Sequence, residues 1–179
     1  TDGSGNLSWA FGSGATQINE LSDGKTGGKS VFLGTEAGNS DDGTTNYNVG
    51  VGYQALKSNS DGENNVGIGY AALSGNVSGD GNTVVGFNAL SDDNSGYNTA
   101  IGANVLSAAS GANNSAVGSF AMAYTTTGID NTALGYEALY HNFSGSYNTT
   151  IGSQANFYNE TGGQNTIIGY QAGYGAGAH

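Results

Sequence analysis

The spacing of one short phrase restricts this chain more than any other feature. The phrase reads Asn, a small residue or Val, a small residue, Ile/Val/Leu, Gly, two variable positions, Ala and usually Leu. Asn131 to Leu139 is its clearest copy. The Ile/Val/Leu-Gly pair falls at Leu33, Val51, Ile68, Val85, Ile101, Val117, Leu134, Ile151 and Ile168, each followed by Gly. Successive intervals are 18, 17, 17, 16, 16, 17, 17 and 17 residues. Nine copies at near-constant spacing predict a stack of one structural unit.

A period near 17 is too short for the common helical repeats, which need about 33 residues or more. It suits one coil of a parallel β-solenoid, or β-roll, with short strands and tight turns. Thr, Val and Ile supply the strands, and Gly, Asn, Asp and Ser the turns. With the Ile/Val/Leu as position 0, position −2 is Val31, Val49, Val66, Thr83, Thr99, Ser115, Thr132, Thr149 and Thr166. Positions −2 and 0 share one strand face, and position −1 faces the other way. No residue from −3 to +2 is charged in any copy. One face lines the coil and the other meets something else, most simply another subunit. The pattern leaves open which face is which, although Ile at 0 and Ala at +4 read as coil filling.

Asn occupies −3 in eight copies: Asn48, Asn65, Asn82, Asn98, Asn114, Asn131, Asn148 and Asn165, with Ser30 in the first. Stacked in this way they form an amide ladder along the axis. Gly at −6 (Gly27, Gly62, Gly79, Gly111, Gly128, Gly145, Gly162) is expected to supply positive φ at a turn. One coil holds few large apolar residues and cannot stand alone, so stacking and oligomerisation carry the stability. Nine coils at ~4.8 Å make a rod roughly 40 Å long. Residues 27–179 form the repeat domain. Residues 1–26 lack the phrase and read as connector or cap strands.

Composition narrows the function. Gly is 33 of 179 residues, and Pro and Cys are absent. Without Pro or a three-residue Gly period, collagen is excluded. Net charge is −11, and no Lys or Arg follows Lys57. Phosphate backbones and anionic membranes are poor partners for such a chain. No apolar run approaches the ~20 residues of a spanning helix. A chain opening on Thr, without a signal peptide, reads as an excised or processed segment.

The copies Asn98-Thr-Ala-Ile-Gly102, Asn114-Ser-Ala-Val-Gly118 and Asn131-Thr-Ala-Leu-Gly135 resemble the head repeats of trimeric autotransporter adhesins. The resemblance covers about residues 29–172. Similar arrays look like those in phage or viral fibres and in secreted bacterial repeat proteins. The resemblance implies a left-handed parallel β-roll, a homotrimer and attachment to a surface. The coils here are somewhat longer than the adhesin pattern, and Tyr-x-Ala-Leu is unusually regular.

Signals for catalysis are weak. His141 and His179 have no motif around them. The acidic residues Asp61, Glu63, Asp80, Asp92, Asp93 and Asp130 cluster in turns, where Asp is also a turn former. They could serve Ca²⁺, but the calcium-binding β-roll motif is missing, so no cofactor is expected. Tyr53, Tyr70, Phe87, Tyr136 and Tyr170 at +2, with Tyr47, Tyr97 and Tyr147 at −4, are candidates for stacking on glycans. The plainer reading packs them between coils. The Thr column at −2 raises ice binding, against which stands the Gly- and Ala-rich interior that outward Thr and Ile would leave. Sequons occur at Asn6, Asn76, Asn113, Asn142, Asn148 and Asn159.

Together these features predict a non-enzymatic, extracellular adhesive or structural fibre segment. Its partners would be further copies of itself and a host or cell-surface glycan or protein receptor, with no nucleic acid and no membrane insertion. The alternative is a self-assembling filament subunit joined through residues 1–26, with ice binding a third reading.

Overall fold

Each copy of the phrase folds into a three-residue strand, and the strands stack in chain order. The computed structural model describes residues 29–92, 94–108 and 111–175. The expected strands within 1–26, Gly27, Asp93, His179 and the sequon at Asn6 lie outside these residues. The strands are β1 (Val31–Leu33), β2 (Val49–Val51), β3 (Val66–Ile68), β4 (Thr83–Val85), β5 (Thr99–Ile101), β6 (Ser115–Val117), β7 (Thr132–Leu134), β8 (Thr149–Ile151) and β9 (Thr166–Ile168). They form one nine-stranded parallel sheet in sequential order. Every pair aligns −2 with −2 and 0 with 0, from Val31 opposite Val49 to Ile151 opposite Ile168. The chain is therefore an all-β solenoid of about eight turns, each coil named here by its strand number.

The register survives coils of 16 to 18 residues because the length changes fall outside the aligned part. From −3 to +5 the backbone repeats: each +5 amide donates to the +4 carbonyl of the next coil, as Leu56 N–H does to Ala72 (3.0 Å) and Leu139 N–H to Ala155 (3.0 Å). Parallel strands this short hold only because coil after coil repeats the same bonds.

The interior lies on the −1 side. Phe32, Val84, Ala100, Ala116, Ala133 and Thr150 are buried, whereas positions −2 and 0 point outwards. Exposure at 0 is 39% for Ile68 and 47% for Leu134, and reaches 65% for Ile168 in the last coil. The expectation that Ile fills the coil is thus corrected. The core comes from across the coil, where Leu56, Leu73, Leu90, Leu106, Met122 and Leu139 at +5 are fully buried with the +4 Ala column. Each such Leu contributes roughly 1.5–3 kcal/mol. The small −1 residues make room for it: a Cβ on Gly67 would sit 3.3 Å from Leu56 Cγ. A Gly- and Ala-rich strand face therefore does not mean a poor core, and the objection to outward Thr loses its premise.

Three columns take left-handed backbone mostly at residues other than Gly. At +3, +5 and −4, φ is positive, as at Gln54 (58°), Leu73 (55°) and Tyr97 (62°). A β-branched residue at such φ is a steric outlier. This explains why +5 is Leu, Met, Asn or Gly, never Ile or Val, and why the β-branched Val105 stands at +4.

Gly at +1 meets two demands. At Gly69 and Gly118 φ is 134°, and a Cβ on either would come within 3.0 Å of the next coil's Gly carbonyl. The Gly at −6 has a different reason from the one expected. Gly62, Gly79, Gly128, Gly145 and Gly162 are not at positive φ. A Cβ at Gly62 would strike the Gly79 carbonyl oxygen (2.5 Å). Close stacking, not turn handedness, excludes a side chain there.

Candidate interaction surfaces

The Asn column at −3 is a coil-to-coil clamp. Each Asn Oδ1 accepts the backbone N–H of the next Asn, as from Asn65 to Asn48 (2.8 Å) and from Asn114 to Asn98 (2.8 Å). Its Nδ2 donates to the −6 carbonyl of the next coil, as Asn48 does to Gly62 and Asn114 to Gly128 (both 2.8 Å). Direct amide-to-amide bonds join the ladder from Asn131 onwards, for example Asn148 Nδ2 to Asn131 Oδ1 (3.0 Å). Ser30 caps the series by accepting from Asn48 N–H (3.1 Å). The amides thus pair chiefly with backbone, and the residues are buried except Asn165 in the last coil, which is half-buried.

A second Asn ladder escaped the sequence reading because it occupies only part of its column. At +8, Asn76 donates to Asn59 and Asn159 to Asn142 (both 2.6 Å), while each Nδ2 also reaches the Gly carbonyl three residues on. Four of the sequons, Asn76, Asn142, Asn148 and Asn159, belong to these ladders and are buried. Asn113 is the exposed one among the described residues.

The outward face combines Thr, Ser and Val at −2 with Ile, Val and Leu at 0. Neither column contains a charge. Strand rise and coil spacing give these columns roughly 500 Å². Tyr47, Tyr97 and Tyr147 flank them at −4, and Tyr53, Tyr70, Phe87, Tyr136 and Tyr170 at +2, all exposed. Tyr53, Tyr70 and Phe87 stack on one another at 5.1 Å, with interplanar angles of 20° and 15°. Their ring faces cover each other within the stack. Tyr136 and Tyr170 stand apart from that stack, separated from it by Ala103 and Ser119 and from each other by Ser153.

The richest aromatic cluster lies elsewhere, at +6 and +7 in coils 6 to 9. Tyr124, His141 and Tyr158 stack in one column, with centroids 5.2 Å apart at each step. Tyr140, Phe157 and Tyr174 stack beside them at 4.8 and 5.0 Å. Burial, with the Tyr124 hydroxyl second, pushes the Tyr140 phenol up to about 12. Nothing in the phrase flags these positions, because +6 and +7 vary freely between coils. The signal was the recurrence of Tyr, His and Phe at the coil interval.

The acidic turns are dispersed. Among the described residues no three His, Cys, Asp or Glu come together as a metal site. Asp80 instead accepts the Glu63 N–H (2.8 Å), an intercoil turn contact. His141 sits within the aromatic stack. At the other end of the rod, Glu36 pairs with Lys57 (2.7 Å). That hydrogen bond, helped by Gln54, holds the Glu36 carboxyl below its usual range, and Glu36 raises Lys57. Among the described residues no helix is long and apolar enough to cross a membrane.

No protein-family model, curated protein or solved structure matches the chain. The surfaces themselves carry the functional reading.

Proposed function

We propose that this chain is a rod segment of an extracellular adhesive or structural fibre, and that copies associate through the outward strand face into a homotrimer. The observation that carries the reading is the uncharged Thr/Ile face running the length of the sheet. With its flanking tyrosines it approaches the ~800 Å² per partner of a standard interface. The absence of charge in columns −2 and 0 means that such faces come together without stranding an ion.

Light scattering at micromolar concentration is expected to return three copies per particle. The variant Ile101→Glu, whose side chain points outwards, should give folded monomers with an unchanged circular dichroism spectrum. A monomeric wild-type chain at that concentration rejects the assembly. A second reading, ice binding, is favoured by the outward Thr83, Thr99, Thr132, Thr149 and Thr166 on a regular sheet. Growth of unshaped ice crystals in the purified protein would dispose of it.

A further inference from the structure

We propose that the paired aromatic columns of coils 6 to 9 bind a neutral carbohydrate chain laid along the rod. The proposal rests on the adhesive reading and gives it a ligand class. The coil does not require these rings. At +7, the same backbone carries Ser58, Gly75 and Asp92 in coils 2 to 4. In the middle of the cluster the inner ring supports the outer one: Phe157 is 8% exposed, while Tyr124 and Tyr158 in the outer column stand 46% and 43% exposed, and the last inner ring, Tyr174, 37%. Aromatic side chains so placed offer an apolar body with a polar tip to one ligand.

Charge selects among ligands. No Lys or Arg occurs after Lys57, and Glu137 and Glu160 lie in the same coils. Phosphate, sulfate and uronate groups are repelled by this surface, whereas neutral hydroxyls find the phenol and imidazole groups. The columns repeat every ~4.8 Å, close to the length of one hexose unit. Towards the N-terminus the outer column continues in Ala108, too small to cover the Tyr124 ring.

Saturation-transfer NMR on the full chain tests this with cellohexaose, N-acetylchitohexaose and a heparin-derived hexasaccharide. At least one neutral hexasaccharide should receive saturation, and the heparin fragment should not. The variant carrying Tyr124→Ser, His141→Ser and Tyr158→Ser should bind about tenfold more weakly or worse. Ser already occupies this column at Ser40 and Ser58, so the coil tolerates it; an unchanged circular dichroism spectrum verifies the fold. Undiminished binding by the variant, stronger binding of the heparin fragment, or no transfer to either neutral sugar at millimolar concentration overturns the proposal. Failure of the trimer would show in light scattering and leave saturation transfer intact, so the two ideas fail separately.

Discussion

Coils 2 to 4 and coils 6 to 8 share one backbone and differ in what they display. Both halves carry the −3 Asn clamp, Gly at +1 and a buried +5 side chain, Leu or Met in every coil but the eighth, which has Asn156. Coils 2 to 4 place their stacked rings at +2, beside the outward strand face. Coils 6 to 8 place them at +6 and +7, with Tyr124, His141 and Tyr158 outermost. The coil between them has Ala103 and Ala108 in those columns. A solenoid can do this because each coil contacts only its neighbours. Interior columns must match up and down the stack, while surface columns change whenever a short run agrees with itself.

The comparison can be broken most severely at +1, where the halves should respond alike. Gly69→Ala and Gly118→Ala start from the same φ of 134° and meet the same carbonyl. Each should cost about 4 kcal/mol or more, from backbone strain and overpacking together. Guanidinium unfolding measures it, and a twofold difference between the variants would refute the equivalence.

The Asn clamp should show a smaller loss and a slight asymmetry. Asn65→Ala strips acceptor and donor from the Asn82 amide and the Gly79 carbonyl (2.9 and 2.8 Å). Asn131→Ala does the same to Asn148 and Gly145 and also removes its bond to the Asn114 amide (3.1 Å). The orphaned N–H together with one lost bond to a carbonyl that keeps its donor from Asn76 or Asn142 costs about 2–4 kcal/mol, and the additional bond adds roughly 1 kcal/mol to the second variant. Hydrogen exchange should open at the mutated coil and its successor.

Aromatic substitutions should separate the halves. Phe157→Ser removes a largely buried ring and should cost about 3 kcal/mol. Tyr70→Ser removes a half-exposed ring from its stack and should cost about 1 kcal/mol. Equal shifts in denaturant midpoint would mean that the two ladders play the same structural part.

The smallest effect is a pH response confined to the C-terminal half. The Tyr140 phenol is raised to about 12 in the fold, so the folded state keeps its proton where the unfolded chain has lost it. This contribution is fully present below about pH 10, the ordinary tyrosine value, and is lost as pH rises to about 12. Melting temperatures between pH 9 and 12 should fall less in Tyr140→Phe than in wild type.

Much of the fold was legible because a solenoid writes its geometry in one dimension. The interval located all nine strands, and Asn48 to Asn165 were recognisable as a column before any bond was seen. The partners of those amides were not legible, since the −6 carbonyl lies in the next coil. Positive φ was assigned to Gly62 and its equivalents, whereas it occurs at Leu73 and Tyr97. The clue was present in the missing β-branched residues at +3, +5 and −4, but it is an absence, weaker than a repeated Gly. The candidate surface was half legible: the uncharged stripe was plain, but the paired aromatic columns stood outside the phrase.

The sequence alone determined the period, the strand positions and the lack of charge at −2 and 0, because each is a property of spacing and composition. Only the tertiary structure decided which side of the strand is inside. Alternation separates Thr and Ile from Ala and Val but carries no label for the interior. The label comes from the left-handed +3 and +5 residues, which swing the +5 Leu across the coil. That Leu fills the space facing −1 and leaves room there only for small side chains. The bulkier Thr and Ile are therefore left on the outside, where they form the face available to a partner.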